Sequence, residues 1–110
     1  MAKKKPKSES QPALPSPPPP PLTPSPTNRF ERDVGRMKKR NVDMDKFKMV
    51  IDALCSRETL APELQDHSLV GNWKGWRDCH VAPDWIIIYR KTDSELILAR
   101  TGTHADLFRK

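Results

Sequence analysis

Ten of the twelve prolines of this 110-residue chain fall within its first 26 residues, and that placement decides where a fold can begin. Proline fixes φ and offers no backbone N–H, so the run at residues 17–21 fits neither a helix interior nor a central strand. The same 26 residues contain no aromatic side chain and few apolar ones. Such a stretch cannot bury enough apolar surface to offset the entropy of ordering it. Residues 1–21 are therefore expected to be a disordered tail, first Lys-rich and then Pro-rich, with polyproline II character around the proline run. Residues 22–110 are left as one domain, and a unit of roughly 80 to 90 residues is only marginally stable.

Charge is unevenly held. The formal net charge is +6, and the first 30 residues hold four of those charges (Lys3, Lys4, Lys5, Lys7 and Arg29 against Glu9). The domain is thus basic by patches, which suits attraction to RNA without demanding it. Cys55 and Cys79 are too few and too far apart for a disulfide framework or a metal-ligand pair, and read as reduced cysteines of a cytoplasmic protein. The longest apolar run, Trp85 to Tyr89, is far short of the ~20 residues of a membrane helix. Prolines also interrupt any secretory h-region after the basic start.

Leu22 to Asn28 reads two ways: Pro24 and Pro26 forbid a central strand and call its pairing into question, but leave an edge strand open, in which both missing donors would face one outer side. From Phe30 the apolar period becomes helical: Phe30, Val34 and Met37 fall at i, i+4 and i+7. Asp43 is placed to cap a second helix whose apolar face is Met44, Phe47, Val50, Ile51 and Leu54. A short Asn41-Val42 link makes the two a helical hairpin, with solvated charged faces. Residues 57–72 read as a connecting loop. Three strands follow, at residues 76–81, 85–90 and 95–101, joined by Ala82-Pro83-Asp84 and Thr92-Asp93-Ser94 into an antiparallel meander. A last helical turn covers Ala105 to Phe108. The expected fold class is α+β, with two N-terminal helices packed on one face of a small antiparallel sheet. Ile86, Ile88, Leu96 and Leu98 are expected on the helix-facing side, and the middle strand at the buried centre.

All three histidines lie in the last 44 residues. Asp78 and His80, two apart in a strand, share a face with Trp76, while Arg77, Cys79 and Val81 take the other. In a meander the C-terminal ends of the first and third strands lie at one end of the sheet. That brings His80, Asp84 and His104 toward one another, with His67 on a loop within reach. Metal-free RNA cleavage needs a base for the 2′-OH proton, an acid for the leaving 5′-oxygen and cations for the phosphate. His67, His80, Asp84 and His104 are candidate proton carriers. Lys74, Arg77 and Arg100 are candidate phosphate partners, and Trp73 or Trp76 a base platform. Spacing alone leaves capping, surface and core roles open for each of these residues.

The run from Asp66 to Trp85 (Asp66-His67-Ser68-Leu69-Val70-Gly71-Asn72-Trp73-Lys74-Gly75-Trp76-Arg77-Asp78-Cys79-His80-Val81-Ala82-Pro83-Asp84-Trp85), with Arg100-Thr101-Gly102-Thr103-His104 and Leu107-Phe108, closely resembles the YafQ toxins of the RelE/ParE superfamily. The resemblance spans about Leu22 to Phe108. It implies a RelE/ParE-like fold and a toxin of a type II toxin–antitoxin system that cleaves mRNA on the ribosome without metal or cofactor. The implied partners are a cognate antitoxin and the ribosomal A site with its mRNA. It also implies that His67, Asp78, His80, Asp84, His104 and Phe108 are the functional positions. His104 would be the general acid, His67 or Asp84 the general base, His80 a contact to the scissile phosphate, Asp78 its orienter, and Phe108 a wall of the site. On the reading of the residues themselves, Lys74, Arg77, Arg100 and Trp76 remain the candidates to hold RNA. The long Pro-rich N-terminus departs from the family pattern, as a dispensable extension or an over-extended start site. Two other function classes stay open: a superfamily toxin that blocks a protein such as DNA gyrase, and an inactive RNA-binding remnant.

Overall fold

Three strand-like runs at residues 77–102 and helical periodicity at residues 28–55 combine, in the computed structural model, into helices laid on one sheet. The structure describes residues 19–57 and 59–108; the expected disorder of residues 1–18 lies outside these. The element order is β1 (Thr23–Pro26), α1 (Asn28–Lys39), α2 (Met44–Cys55), β2 (His67–Ser68), β3 (Arg77–Ala82), β4 (Trp85–Lys91), β5 (Glu95–Gly102) and α3 (His104–Phe108). Short 3-10 turns occupy Pro62–Leu64 and Gly71–Trp73. The sheet order is β1-β5-β4-β3-β2, and β3, β4 and β5 form the expected antiparallel meander.

The first strand pairs parallel to β5, which makes the sheet mixed. The N–H groups of Thr23 and Thr27 donate to the carbonyls of Ser94 and Leu98. Pro24 and Pro26, out of phase with them, direct their donorless nitrogens to the outer edge, where no partner strand is needed. Thr27 then caps α1 by accepting from the Phe30 N–H at 3.0 Å. Asp43 caps α2 by accepting from the Lys46 N–H at 3.0 Å, as its position in the sequence predicts. No helix among the described residues is long and apolar enough to cross a membrane.

Beneath the helices, Phe30, Met37, Phe47, Val50 and Leu54 pack against Cys79, Val81, Trp85, Ile87, Tyr89, Leu96 and Leu98. Trp85 stacks flat on Phe47 at 4.9 Å between ring centroids, so it is a core residue. Its indole N–H donates to the Thr101 hydroxyl at 2.9 Å. One expectation is overturned here. Ile86 and Ile88 face away from the helices, where they form a second cluster with Ala99 and Leu107, edged by Leu69, Trp73, Trp76 and Phe108. Both faces of β4 are apolar, so its composition does not reveal which side meets the helices. The register of β5 also shifts between the Ile88–Arg100 and Tyr89–Leu98 pairs. That bulge puts Leu98 and Thr101, three apart, on the helix side.

The supposed loop at residues 57–72 contributes a fifth strand. Its His67 and Ser68 pair antiparallel with Asp78 and Arg77 of β3. Nor is the polar side of α1 simply solvated. Asp33 is 3 % exposed and accepts from Arg100 Nε at 2.7 Å, Arg100 Nη2 at 3.1 Å, Arg36 Nη2 at 3.0 Å and the Thr101 N–H at 3.1 Å. Arg40 pairs with both Asp106 oxygens, at 2.8 and 3.3 Å. Asp106 in turn accepts from the Thr103 N–H at 2.9 Å while its own N–H donates to Thr103 Oγ1 at 3.1 Å. This reciprocal cap starts α3, and the ion network ties that turn to α1. The result is a fixed platform for His104.

Candidate active site

The open face of the sheet, opposite the helices, carries the histidines. Asp78 and His80 alternate with Cys79 and Val81 along β3, and the latter two are buried under the helices. Asp78 and His80 stand opposite Ile88 and Ile86 in register. His67 lies across β3 from Asp78, with Nδ1 2.9 Å from the carboxylate Oδ1 and 2.9 Å from the Gln65 carbonyl. A carbonyl can only accept, so Nδ1 of His67 carries the proton. Its Nε2 is then the free nitrogen on a side chain that is 57 % exposed.

The second dyad stands at the end of the sheet. Asp84, in the β3–β4 turn, accepts from the His104 backbone N–H at 2.9 Å and approaches its Nδ1 at 2.7 Å. Those two hydrogen bonds, the backbone one first, hold the Asp84 carboxyl below the ordinary carboxylate range. Asp84 is therefore ionised near neutrality and Nδ1 of His104 bears the proton, on a side chain that is 55 % exposed. The His80 ring meets His104 edge-on at 5.6 Å and 84°, and Phe108 tilts against His104 at 6.1 Å.

Asp78 sits between these groups. Burial pushes its carboxyl up, and the positive potential of His67, His80 and His104 pulls against that rise. Its buried Oδ1 has no hydrogen-bond partner among the described residues, although His67 Nδ1 lies 2.9 Å away with its proton directed to the Gln65 carbonyl. The fold thus gathers His67, Asp78, His80, Asp84, His104 and Phe108 on one face and one end of the sheet.

The candidate RNA-binding residues are placed less uniformly. Lys74 is exposed at the end of a 3-10 turn. Trp76 is half-buried, meets Trp73 edge-on, and carries the Arg90 guanidinium 4.5 Å above its ring. Arg77 and Arg100 do not present free guanidiniums. Arg77 grips Asp66 through Nε at 3.2 Å and Nη2 at 3.3 Å, and Arg100 is folded onto Asp33. Sequence reading missed Arg90, whose partner Trp76 is its neighbour only through the sheet. It also missed the pairing of His67 with Asp78, which depends on a two-residue strand.

Comparisons with known proteins identify the family and the fold. A family model described as "Bacterial toxin of type II toxin-antitoxin system, YafQ" matches residues 22–109. The mRNA interferase toxin YafQ of Escherichia coli K12 is 46% identical over 83 residues, which cover 74% of this chain and 90% of that protein. The crystal structure of YafQ from E. coli BL21(DE3) superposes with a TM-score of 0.75 at 42% identity, covering 79% of this chain and 98% of that one. The E. coli DinJ–YafQ toxin–antitoxin complex matches with a TM-score of 0.73 at 43% identity, covering 79% of this chain and 97% of that chain.

Proposed function

The chain belongs to the YafQ family of type II toxin–antitoxin toxins, and from that premise we propose that it is a ribosome-dependent mRNA endoribonuclease neutralised by a cognate antitoxin. One observation carries the reading: two imidazoles each have Nδ1 engaged, His67 by the Gln65 carbonyl beside Asp78 and His104 by the Asp84 carboxylate, which leaves both Nε2 atoms without a hydrogen-bond partner among the described residues. An enzyme that moves one proton off the 2′-OH and another onto the 5′-oxygen needs such a pair. A toxin that only blocks a protein target does not.

In this mechanism neutral His67 accepts the 2′-OH proton at Nε2. The 2′-oxygen attacks the scissile phosphorus and the bond to the 5′-oxygen breaks. His104, as imidazolium, donates its Nε2 proton to that leaving oxygen. The products are a 2′,3′-cyclic phosphate and a 5′-OH. Asp84 is engaged by the His104 backbone N–H and Nδ1 at 2.9 and 2.7 Å, which favours His67 over Asp84 as the base. His80, edge-on to His104, contacts the phosphate, Asp78 orients His67 and His80, and Phe108 walls the site. Lys74 and the Arg90–Trp76 pair supply charge and a stacking surface for the RNA. The chemistry is complete in protons without a metal, and mRNA is presented by the ribosomal A site.

Inducible expression with and without the neighbouring antitoxin tests the reading, followed by cleavage assays with purified ribosomes and a chelator. Growth arrest relieved by the antitoxin, with cleavage that requires ribosomes and survives chelation, is expected. Growth arrest with intact mRNA and inhibited gyrase would replace it with the protein-blocking reading.

A further inference from the structure

A two-residue strand at a sheet edge has too few ladder hydrogen bonds to hold itself in place, yet β2 carries His67. Side chains alternate along it, so His67 points to the open face while its neighbours Asp66 and Ser68 point to the other. Both neighbours are gripped there by one residue. Arg77 donates from Nη1 to Ser68 Oγ at 2.9 Å, and from Nε and Nη2 to the two Asp66 oxygens at 3.2 and 3.3 Å. The hydroxyl of Tyr89, whose ring is buried in the core, donates to the same Asp66 carboxylate. Tyr89 stands opposite Arg77 in the β3–β4 register, so the clamp is rooted in the centre of the sheet.

We propose that Arg77, Asp66 and Tyr89 are positioning residues that set the orientation of the His67 ring, and that Arg77 does not serve as a phosphate ligand. The inference rests on the reading of His67 as general base. The guanidinium fork matches three acceptors on two sides of His67, and a lysine ammonium cannot reproduce that planar grip. With β2 held, the His67 ring is confined between the Gln65 carbonyl and Asp78. Its Nδ1 keeps the proton and its Nε2 stays available. Released, the ring samples both tautomers and loses its alignment.

The test uses the full chain with nitrogen-15-labelled histidine. Tyr89→Phe, which keeps the buried ring, and Arg77→Lys are compared with wild type by nitrogen NMR of the His67 ring, single-turnover mRNA cleavage, ribosome affinity and Tm. Wild type is expected to show His67 as the Nδ1–H tautomer. Both variants should show it averaged, with cleavage reduced on the order of 10- to 100-fold and ribosome affinity unchanged. Unchanged ring signals with only a lower Tm would mean an ordinary structural bond and would overturn the proposal. Arg77→Gln, which removes the charge, adds the other arm: weaker ribosome binding with a salt slope reduced by about 0.7 would identify a phosphate contact and overturn the proposal too. Absence of cleavage in wild type defeats the proposed function, while the ring signals still decide the clamp.

Discussion

Replacing Asp33 with alanine tests how the platform under His104 is held. The carboxylate receives two donors from Arg100, one from Arg36 and the backbone N–H of the fully buried Thr101. The Arg100 side chain is 12 % exposed, so its pairing is shielded, whereas Arg36 at 37 % is partly screened and adds little. Breaking a buried pair from one side costs about 3–5 kcal/mol, within which an unsatisfied buried amide accounts for about 1–3 kcal/mol. The lower end, about 3 kcal/mol, is expected here because Arg100 keeps some access to water. A domain of this size has a total stability of about 4–13 kcal/mol. The loss should therefore lower Tm by about 12–24 °C. Urea unfolding followed by tryptophan fluorescence measures it as a drop in midpoint with unchanged slope. A double variant, Asp33→Leu with Arg100→Met, should recover only the ion-pair share of the loss, since apolar residues often replace a buried pair without penalty while the Thr101 N–H stays without its acceptor. A change below about 1 kcal/mol for Asp33→Ala would refute the reasoning, because that is the range of exposed pairs.

Other substitutions separate stability from chemistry. Gly102→Ala places a Cβ 2.9 Å from Asp106 Oδ2 and 3.0 Å from Arg36 Nη2, so α3 must shift. Calorimetry should show a loss of about 1–3 kcal/mol, with cleavage reduced in the same protein. Burial raises the Asp78 carboxyl, so the folded state binds its proton more readily than the unfolded chain, and stability from this group falls as pH rises through the folded value. Asp78→Asn should accordingly raise Tm at pH 7, by a margin that shrinks on acidification, while impairing cleavage. Asp84 has the opposite sign. Its stabilisation of the His104 turn is full above the ordinary value of 3.8 and is lost as pH falls through the lower folded value. Exchange protection of the His104 N–H should follow that loss in wild type and be insensitive to pH in Asp84→Asn.

Where local chemistry decides an element, the sequence was sufficient. Asp43 caps its helix, the three long strands fall within a residue or two of their expected bounds, and Pro24 and Pro26 sit on an outer edge. Asp78 and His80 share the face that strand alternation assigns them. What stayed hidden depends on partners distant in the chain. Arg100 reads as a free cation until Asp33, on a helix 67 residues earlier, takes its guanidinium. Ile86 and Ile88 read as helix-facing because a strand apolar on both sides carries no sign of which face is which; Leu96 and Leu98 do lie under the helices. The strand at His67 is too short to leave a period. Its place follows only from pairing with Asp78 and from the grip of Arg77.

The most direct test of the account is single-turnover cleavage of a defined mRNA on purified ribosomes, with end-group analysis, for wild type and His104→Ala. The account predicts 2′,3′-cyclic phosphate and 5′-OH ends from wild type, and a loss on the order of 10²–10⁴-fold in the variant, with folding and ribosome binding intact. Cleavage at the wild-type rate by a folded His104→Ala protein, or products carrying 5′-phosphate ends, would contradict it.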